Sequence, residues 1–211
     1  IIAMNTDSAK IKKRYNRIAP VFDAIEGLME FAFFSNWRKQ VWQKTEGKSI
    51  LEVGVGTGKN FPFYPSGTTI TAIDFSDKML DRAKQKAEKQ NIDVDLQLMD
   101  IESLKFADHT FDTVIATFVF CSVPGPVQGL EEIKRVCKPG GKIVLLEHVL
   151  SSNDLLAAIM NLLNPIVVRL FGANINRKTL ETVKQIGFKP IRINELSGDI
   201  VKIIEAWNNK S

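Results

Sequence analysis

The sequence predicts an α/β fold built on a doubly wound, mostly parallel sheet, and three observations lead to it. Apolar segments with strand composition alternate with amphipathic helical segments, a glycine-rich turn follows the first strand, and a short turn at Ser197-Gly198-Asp199 joins the last two strands. Strands that alternate with helices form parallel sheets covered on both faces, and a short turn joins antiparallel strands. Such sheets bind ligands beyond the carboxyl ends of their strands, at the topological switch point.

Periodicity places the individual elements. Seven segments have strand patterning, at 49–56, 68–74, 93–100, 111–120, 142–150, 187–196 and 199–207. Six have helical patterning, at 7–19, 24–44, 76–90, 126–138, 152–171 and 177–187. Ser76 is the predicted N-cap of the third helix, with Asp77 in a first turn that favours a carboxylate. We expect Pro139-Gly140-Gly141 to end the fourth helix and Asn164-Pro165 to break the fifth.

The composition is that of an ordinary globular protein, with 45% apolar and 25% charged residues in 211. We interpret residues 1–45 as an N-terminal helical cap and residues 46–211 as the ligand-binding part of one structural unit. No stretch of about 20 residues is free of polar groups, so no transmembrane helix is predicted. The first residues lack a signal-peptide pattern. Because Cys121 and Cys137 have the spacing of neither a redox pair nor a zinc site, we expect a cytoplasmic protein without a metal.

The glycine-rich turn runs from Glu52 to Gly58 with the sequence EVGVGTG, between an apolar strand and a helix. Its glycines allow a tight turn and close approach of a ligand. A P-loop is excluded, because Val53 and Asn60 stand where that motif has glycine and Ser or Thr. A dinucleotide fingerprint has glycine or alanine at the position of Lys59. NAD is therefore a less favoured alternative to a nucleotide that lacks a pyrophosphate.

Three successive strands end at or near a carboxylate, namely Glu52, Asp74 and Asp100. S-adenosylmethionine (SAM) has no pyrophosphate, but it presents ribose hydroxyls, an adenine amino group and a methionine ammonium that carboxylates can accept from. We assign Asp74 to both ribose hydroxyls and Asp100, followed by Ile101, to the adenine. Glu52 is assigned to the glycine loop or the methionine ammonium. The pattern favours SAM.

Five segments in order resemble the motifs of the class I SAM methyltransferases: LEVGVGTGKN, AIDFSDKMLDRAK, LMDIESLKF, FDTVIATFVFCSVP and EEIKRVCKPGGKIVLLEHV. The resemblance extends over residues 10–206. It implies a Rossmann-like seven-stranded sheet of order 3-2-1-4-5-7-6 with an antiparallel last strand, and a reaction that converts SAM to S-adenosylhomocysteine. It assigns these cofactor-site residues: Gly54, Gly56, Thr57, Gly58, Asp74, Phe75, Met79, Asp100 and Ile101, with Thr117 and Phe118 beside the methyl donor.

The N-terminal segment carries a finer resemblance. YNRIAPVFD resembles the YxxxAPxYD element of ubiquinone and menaquinone C-methyltransferases and of bacterial phosphatidylethanolamine N-methyltransferases, with Phe22 in place of the second tyrosine. EVGVGTGKNFPFYP is closer to the phospholipid enzymes, whereas FYP, CSVP and LEHV also resemble membrane-associated thiol S-methyltransferases. N-methylation of a phospholipid amine is favoured, and quinone C-methylation and thiol S-methylation stay open. A non-catalytic SAM-binding protein is a further alternative, and a nucleic-acid methyltransferase is disfavoured.

A base is sought at the carboxyl ends of the strands, because an ammonium, a phenol or a thiol must lose a proton before methylation. The candidates are Glu147 and His148 in the fifth strand and Tyr15 in the cap. Neighbouring strand residues point oppositely, so one of Glu147 and His148 should face the pocket. Our hypothesis is that His148 or Tyr15 orients or deprotonates the acceptor. Cys121 is expected to pack near the pocket mouth and His109 to lie at the surface.

Two segments indicate a hydrophobic partner. LLAAIMNLLNPIVVRLFGANI is largely apolar, but its asparagines, Pro165 and Arg169 do not suit a membrane span, so an interfacial helix or a lid over an apolar substrate is predicted. The N-terminal basic run is a solvated helix face or an attachment to an anionic surface, and comprises Lys10, Lys12, Lys13, Arg14 and Arg17. We expect a peripheral enzyme acting on a lipid or another hydrophobic small molecule, not on nucleic acid.

Overall fold

The chain folds around one seven-stranded sheet with the strand order β3-β2-β1-β4-β5-β7-β6. The computed structural model describes residues 6–29 and 33–208. Strands β1 to β5 pair in parallel, and β7 runs antiparallel to both β5 and β6. The predicted fold class and strand order are confirmed. The strands are β1 (Ser49–Val53), β2 (Thr69–Asp74), β3 (Asp95–Leu98), β4 (Phe111–Thr117), β5 (Cys137–His148), β6 (Ile191–Ser197) and β7 (Val201–Trp207).

The described residues form six α-helices: α1 (Thr6–Met29), α2 (Ser35–Trp42), α3 (Asp77–Gln90), α4 (Pro126–Val136), α5 (Asp154–Phe171) and α6 (Thr179–Ile186). A short 3-10 helix spans Phe61–Phe63. Ser76 Oγ accepts a hydrogen bond from Met79 N at 3.2 Å, which confirms the predicted N-cap of α3. Across the described ranges, no helix has both the length and the apolar character that crossing a membrane requires.

The strand order places the topological switch point between β1 and β4. The chain adds β2 and β3 on one side of β1 and then returns to add β4 and β5 on the other side. The central strands are almost wholly buried, as expected for strands covered on both faces. The loops that follow β1 and β4 therefore diverge and leave a crevice at the carboxyl edge of the sheet.

The N-terminal helices are divided differently from the prediction of helices at 7–19 and 24–44. Helix α1 continues through Pro20 to Met29, and α2 begins only at Ser35. Residues 30–32, which the second predicted helix included, lie outside the described residues. Pro20 removes one helical hydrogen bond, but Ala19 is 1% exposed and anchors this turn by packing. Tertiary packing thus outweighs the local preference for a break.

Of the two other proline segments that were expected to interrupt helices, the one in α5 was wrongly interpreted. Helix α5 continues through Pro165, and the preceding turn is held because Asn164 Oδ1 accepts a hydrogen bond from Ile175 N at 2.9 Å. Helix α4 ends at Val136, before Pro139-Gly140-Gly141 as expected, but this segment already lies inside β5, which was predicted to begin only at residue 142. Asn208 pairs with this segment through its backbone N–H and C=O, at 2.9 and 2.7 Å. A proline is tolerated there because the β4–β5 ladder is irregular at this end.

Candidate active site

A cavity of about 470 Å³ opens at the carboxyl ends of β1, β2 and β4. The loops after these strands and after β3 form its floor, and α1 and the region of α2 form a wall across it. This position is the switch point at which doubly wound sheets bind ligands, and the volume suits a small molecule. The N-terminal part of the chain contributes Tyr15, Ile18, Phe22, Phe34 and Arg38 to the lining.

The three glycines of the loop after β1 have different structural roles. All have positive φ angles, of 71° at Gly54, 57° at Gly56 and 77° at Gly58. A Cβ at Gly54 would lie 2.5 Å from the side chain of Val119, and one at Gly58 would lie 2.4 Å from the ring of Phe61. A Cβ at Gly56 would meet nothing within 4 Å. Gly54, Gly56 and the neighbouring Thr57 line the cavity, whereas Gly58 is not among the lining residues.

Asp74, the last residue of β2, lies in the cavity wall and holds the glycine loop. Its Oδ2 accepts a hydrogen bond from Gly56 N and its Oδ1 accepts one from Ser76 N, both at 2.8 Å. Burial raises the pKa of Asp74 to about 6, against the lowering effect of these hydrogen bonds. Each oxygen of an ionised carboxylate has a second lone pair. Asp74 can therefore accept hydroxyl groups from a ligand while it holds the loop.

The loop after β3 brings Asp100 and Ile101 into the same cavity. β3 ends at Leu98, so the carboxylate lies two residues beyond the strand that was predicted to reach it. Asp100 Oδ1 accepts a hydrogen bond from Glu102 N at 3.0 Å, which fixes this turn. Phe75 and Met79 line the cavity from the start of α3. An acidic group beside apolar side chains suits a flat heterocycle with an amino group.

Glu52 is fully buried and is not among the residues that line the cavity. Its Oε1 accepts a hydrogen bond from Asn60 Nδ2 at 2.6 Å, and its Oε2 accepts one from the Tyr64 hydroxyl. Burial raises the pKa of Glu52 to about 7, and these hydrogen bonds and the charge of Arg38 oppose that rise. The Glu52 side chain thus lies behind the glycine loop and outside the cavity lining.

Arg38 connects this buried network to the end of β4. Its Nη1 donates to Asn60 Oδ1 at 3.2 Å and to Thr117 Oγ1 at 2.9 Å, and its guanidinium lies 5.7 Å from the ring centre of Phe118. Arg38 is 6% exposed and lines the cavity. The motif comparison did not single out Arg38, Asn60 or Tyr64. Asn60 and Tyr64 bond to the nearby Glu52, but the contacts of Arg38 and Asn60 with Thr117 join residues that are distant in the sequence. The only signal for Arg38 was its place in a helix that was predicted to cover the pocket.

Strand β4 ends at Thr117, three residues before the predicted boundary, because Phe118 has a left-handed φ of 57°. This turn brings both residues into the cavity lining. The turn is held from behind by Glu147, whose Oε1 accepts hydrogen bonds from the backbone N–H groups of Val119 and Phe120 at 2.9 and 3.1 Å. Burial raises the pKa of Glu147 to about 8.

Of the neighbouring pair in β5, His148 lines the cavity and Glu147 does not. Burial lowers the pKa of His148, although a hydrogen bond with the backbone of Ile175 opposes this effect. His148 Nδ1 has no hydrogen-bond partner within the described part of the chain. A neutral imidazole at the cavity wall can accept a proton. Glu147 instead supports the loop after β4.

Tyr15 reaches into the cavity from α1. Its hydroxyl forms a 2.5 Å hydrogen bond with Ser122 Oγ, and its ring makes an edge contact with Phe75 at 5.8 Å between centroids. Cys121 lines the same region but is 8% exposed, and burial raises the pKa of its thiol to about 12. His109 lies far from this cavity, in the turn before β4, where its backbone N–H pairs with the carbonyl of Arg135.

Taken together, the sheet order, the switch-point cavity and the acidic strand ends define an α/β protein that binds a nucleotide-like cofactor without a P-loop. A family model described as "Methyltransferase domain" matches residues 51–145. This match includes the glycine loop, Asp74, Asp100 and Thr117.

Curated relatives agree on the class of reaction and differ in the acceptor. A phosphatidylethanolamine N-methyltransferase of Cereibacter sphaeroides is 43% identical over 115 residues, which cover 54% of this chain and 57% of the relative. A demethylmenaquinone methyltransferase of Lactobacillus johnsonii is 31% identical over 211 residues, 87% of this chain and 86% of the relative. A thiol S-methyltransferase of Rattus norvegicus is 32% identical over 152 residues, which cover 69% of this chain and 62% of the relative.

Among solved structures, a SAM-dependent methyltransferase of Thermotoga maritima, described as a possible histamine N-methyltransferase, superposes with a TM-score of 0.73 at 17% identity. The superposition covers 93% of this chain and 99% of that one. This likeness shows the shared fold. The chain belongs to the SAM-dependent methyltransferase family, and SAM is its cofactor. It spans only about three fifths of the phosphatidylethanolamine and thiol relatives that it matches.

Proposed function

We propose that the chain transfers methyl groups from SAM to the amine of a lipid-like small molecule, with phosphatidylethanolamine the favoured acceptor. The observation that carries the proposal is the aromatic character of the cavity lining, to which Tyr15, Phe22, Phe34 and Phe118 contribute. Phe34 and Phe118 are in contact, with ring centroids 5.0 Å apart. Aromatic faces attract ammonium groups, and an amine gains permanent positive charge as methyl groups are added to it.

Other residues of the same lining fit SAM. We propose that Asp74 accepts the ribose hydroxyls and that Asp100 and Ile101 hold the adenine. The open space beside Gly56 leaves room for the cofactor at the glycine loop. We place Thr117 and Phe118 at the methyl donor. The remaining assigned residues contact the cofactor or support the glycine loop from behind; they are Glu52, Gly54, Thr57, Gly58, Phe75 and Met79.

The protein's chemical contribution is proton removal, orientation and exclusion of water. Bound SAM supplies an activated methyl group on a positively charged sulfur. An ammonium acceptor must first lose a proton, and we propose that His148 takes it, because burial keeps its imidazole neutral. The Tyr15 hydroxyl, held by Ser122 at 2.5 Å, orients the acceptor. We propose that the described part of residues 1–45 acts as a cap that closes the cavity and excludes water.

Quinone ring C-methylation is the second candidate. The relative with the most complete alignment among those described above, over 86% of its length, is a demethylmenaquinone methyltransferase. The same aromatic wall can stack on a flat quinol ring, and His148 can deprotonate a phenol as it would an ammonium. Both candidates have hydrophobic acceptors, which a peripheral enzyme at an anionic membrane can reach.

Radiolabelled SAM distinguishes the candidates. The purified protein is incubated with phosphatidylethanolamine, a demethylmenaquinol and an alkyl thiol, and the labelled products are separated. Label on mono- and dimethylated phosphatidylethanolamine supports the proposal, and label on the quinol or only on the thiol replaces it with that acceptor. SAM binding without any labelled product contradicts catalysis on all three acceptors.

The roles of the two polar residues are tested with His148→Ala and Tyr15→Phe, with His109→Ala as the matched control. We expect turnover to fall about 100-fold in His148→Ala, with an unchanged SAM dissociation constant by calorimetry. His109→Ala should behave as the unmodified protein. Near-normal turnover in both His148→Ala and Tyr15→Phe would remove these residues from the mechanism.

A further inference from the structure

Helix α5 exposes an apolar stripe that the rest of the described chain does not cover. Six of the ten exposed large apolar residues in the described chain lie on this helix. They follow the spacing i, i+1, i+4, i+7, i+8 and i+11, which places them within about one third of the helix circumference. We call this set the α5 stripe; it comprises Leu155 (74% exposed), Leu156 (39%), Ile159 (45%), Leu162 (76%), Leu163 (44%) and Ile166 (57%).

The opposite side of α5 anchors the helix to the protein. Met160 is 6% exposed, and the side chain of Asn164 donates to Asn174 and accepts from Ile175, at 3.2 and 2.9 Å. Between Asp154 and Arg169, the two charged residues at its ends, the helix has no charge. None of the residues from 154 to 169 is among the described residues that line the cavity. The stripe is therefore neither core nor part of the substrate lining.

A basic face of α1 lies next to the C-terminal end of α5. Lys10, Lys13, Arg14 and Arg17 have the spacing i, i+3, i+4 and i+7, so they share one side of the helix. Arg14 joins the two helices, because its Nη1 donates to the carbonyl of Val168 at 2.6 Å. Lys10, Lys13 and Arg17 are exposed, as is Arg169 on α5. We call these five side chains the basic cluster.

We infer that the α5 stripe and the basic cluster together form a docking surface for an anionic lipid bilayer. Aliphatic side chains on a solvent-exposed helix can enter the boundary between headgroups and acyl chains, while neighbouring cations pair with lipid phosphates. The stripe contains only leucine and isoleucine, whereas protein-binding hot spots are rich in tryptophan, tyrosine and arginine, and leucine is under-represented there. Composition and charge therefore favour a bilayer over a protein partner.

The docking surface is continuous with the wall of the cavity. The face of α1 adjacent to the basic cluster carries Tyr15, Ile18 and Phe22, which line the cavity. A bilayer held against the basic cluster would thus lie beside the helix that closes the candidate active site. The biological reason for docking rests on the proposed function, since a lipid-like acceptor resides in the membrane. Membrane binding itself is measured without any reaction.

Vesicle sedimentation tests the inference with the full chain. Binding is measured to vesicles of phosphatidylcholine alone and of phosphatidylcholine with phosphatidylglycerol, at low and high salt. One variant combines Leu155→Glu with Leu162→Glu, and a second combines Lys13→Glu with Arg17→Glu. The matched controls are Ile193→Glu, which changes a 44% exposed isoleucine on β6, and Lys84→Glu with Lys89→Glu on the exposed side of α3. Circular dichroism melting verifies that each variant is folded.

We expect the unmodified protein to bind only the anionic vesicles, and less at high salt. The leucine variant should reduce the partition coefficient at least about ten-fold. The Lys13 and Arg17 variant should reduce it at least about 25-fold, since each of the two basic residues near an anionic surface contributes about five-fold. Both control variants should bind as the unmodified protein does.

Three results would overturn the inference. The first is absence of binding to anionic vesicles at low salt, and the second is unchanged binding by the leucine variant. The third is a dimer that the leucine variant converts to a monomer, without vesicle binding, which would make the stripe an interface between copies. Methyl transfer to a short-chain phosphatidylethanolamine dispersed as monomers separates the two proposals. If the unmodified protein binds anionic vesicles but does not methylate this monomeric substrate, the result contradicts the proposed function and leaves the docking surface standing.

Discussion

Replacing Glu147 with glutamine should change the pH dependence of stability. Burial raises the pKa of Glu147 from its ordinary value of 4.5 to about 8 in the folded protein. Between these values the folded state binds a proton that the unfolded state has released, so stability falls as pH rises. The slope is about 1.4 kcal/mol for each pH unit, and the fall over the whole window is on the order of 5 kcal/mol. Glutamine does not titrate, and its side-chain oxygen can still accept from the backbone N–H groups of Val119 and Phe120.

The assay is urea unfolding of both proteins at several pH values from 5 to 8, followed by far-ultraviolet circular dichroism. The difference in unfolding free energy between Glu147→Gln and the unmodified protein should rise with pH, in favour of the variant. The test is the slope of this difference against pH. An unpaired amide of glutamine would lower stability by the same amount at every pH and would leave that slope unchanged. Glu181→Gln, on the exposed side of α6, is the control. Parallel pH profiles for Glu147→Gln and the unmodified protein would refute a buried carboxyl with a raised pKa.

Three further substitutions separate cofactor binding from folding. Gly56→Ala should raise the SAM dissociation constant, measured by calorimetry, at least about ten-fold, because its Cβ would enter open cavity space. The positive φ at this position costs only about 1 kcal/mol of stability. An unchanged affinity would place SAM elsewhere. Gly58→Ala should mainly lower the melting temperature, because its Cβ would lie 2.4 Å from the Phe61 ring, and a melting temperature equal to that of Gly56→Ala would contradict this packing. Asp74→Asn should weaken SAM binding by about 1–3 kcal/mol, the cost of unpaired polar groups. The difference from the unmodified protein should be largest above pH 6, where Asp74 is ionised. Equal affinities of the two proteins for SAM would contradict the assignment of Asp74 to the ribose.

Several features of the site follow from residues that are close together in the sequence. The glycine loop, the N-cap at Ser76 and the carboxylate at the end of β2 depend on local spacing, and the sequence predicted each of them. The alternation of strands with helices predicted the doubly wound sheet, and the ordered motifs predicted its strand order. Helix boundaries at Pro20 and Pro165 were wrong, because packing and side-chain hydrogen bonds compensated for the bond that each proline removes.

Other features depend on contacts that no local pattern encodes. The hydrogen bond from Asn60 to Thr117 joins residues 57 positions apart, and the one between Tyr15 and Ser122 joins residues 107 positions apart. Strand alternation predicted that Glu147 and His148 face opposite ways, but only the packed structure decided that His148 faces the cavity.

The sequence by itself determined the class of fold, the cofactor and the residues of the glycine loop, because these depend on periodicity and on motifs of adjacent residues. Only the tertiary structure decided which carboxylates line the cavity and which support it from behind, since this depends on the packing of α1, α2 and β5 around the strand ends. It also decided that α5 is exposed on its apolar side. An apolar helix has the same sequence pattern whether it covers a core or a membrane surface, and only its neighbours distinguish the two.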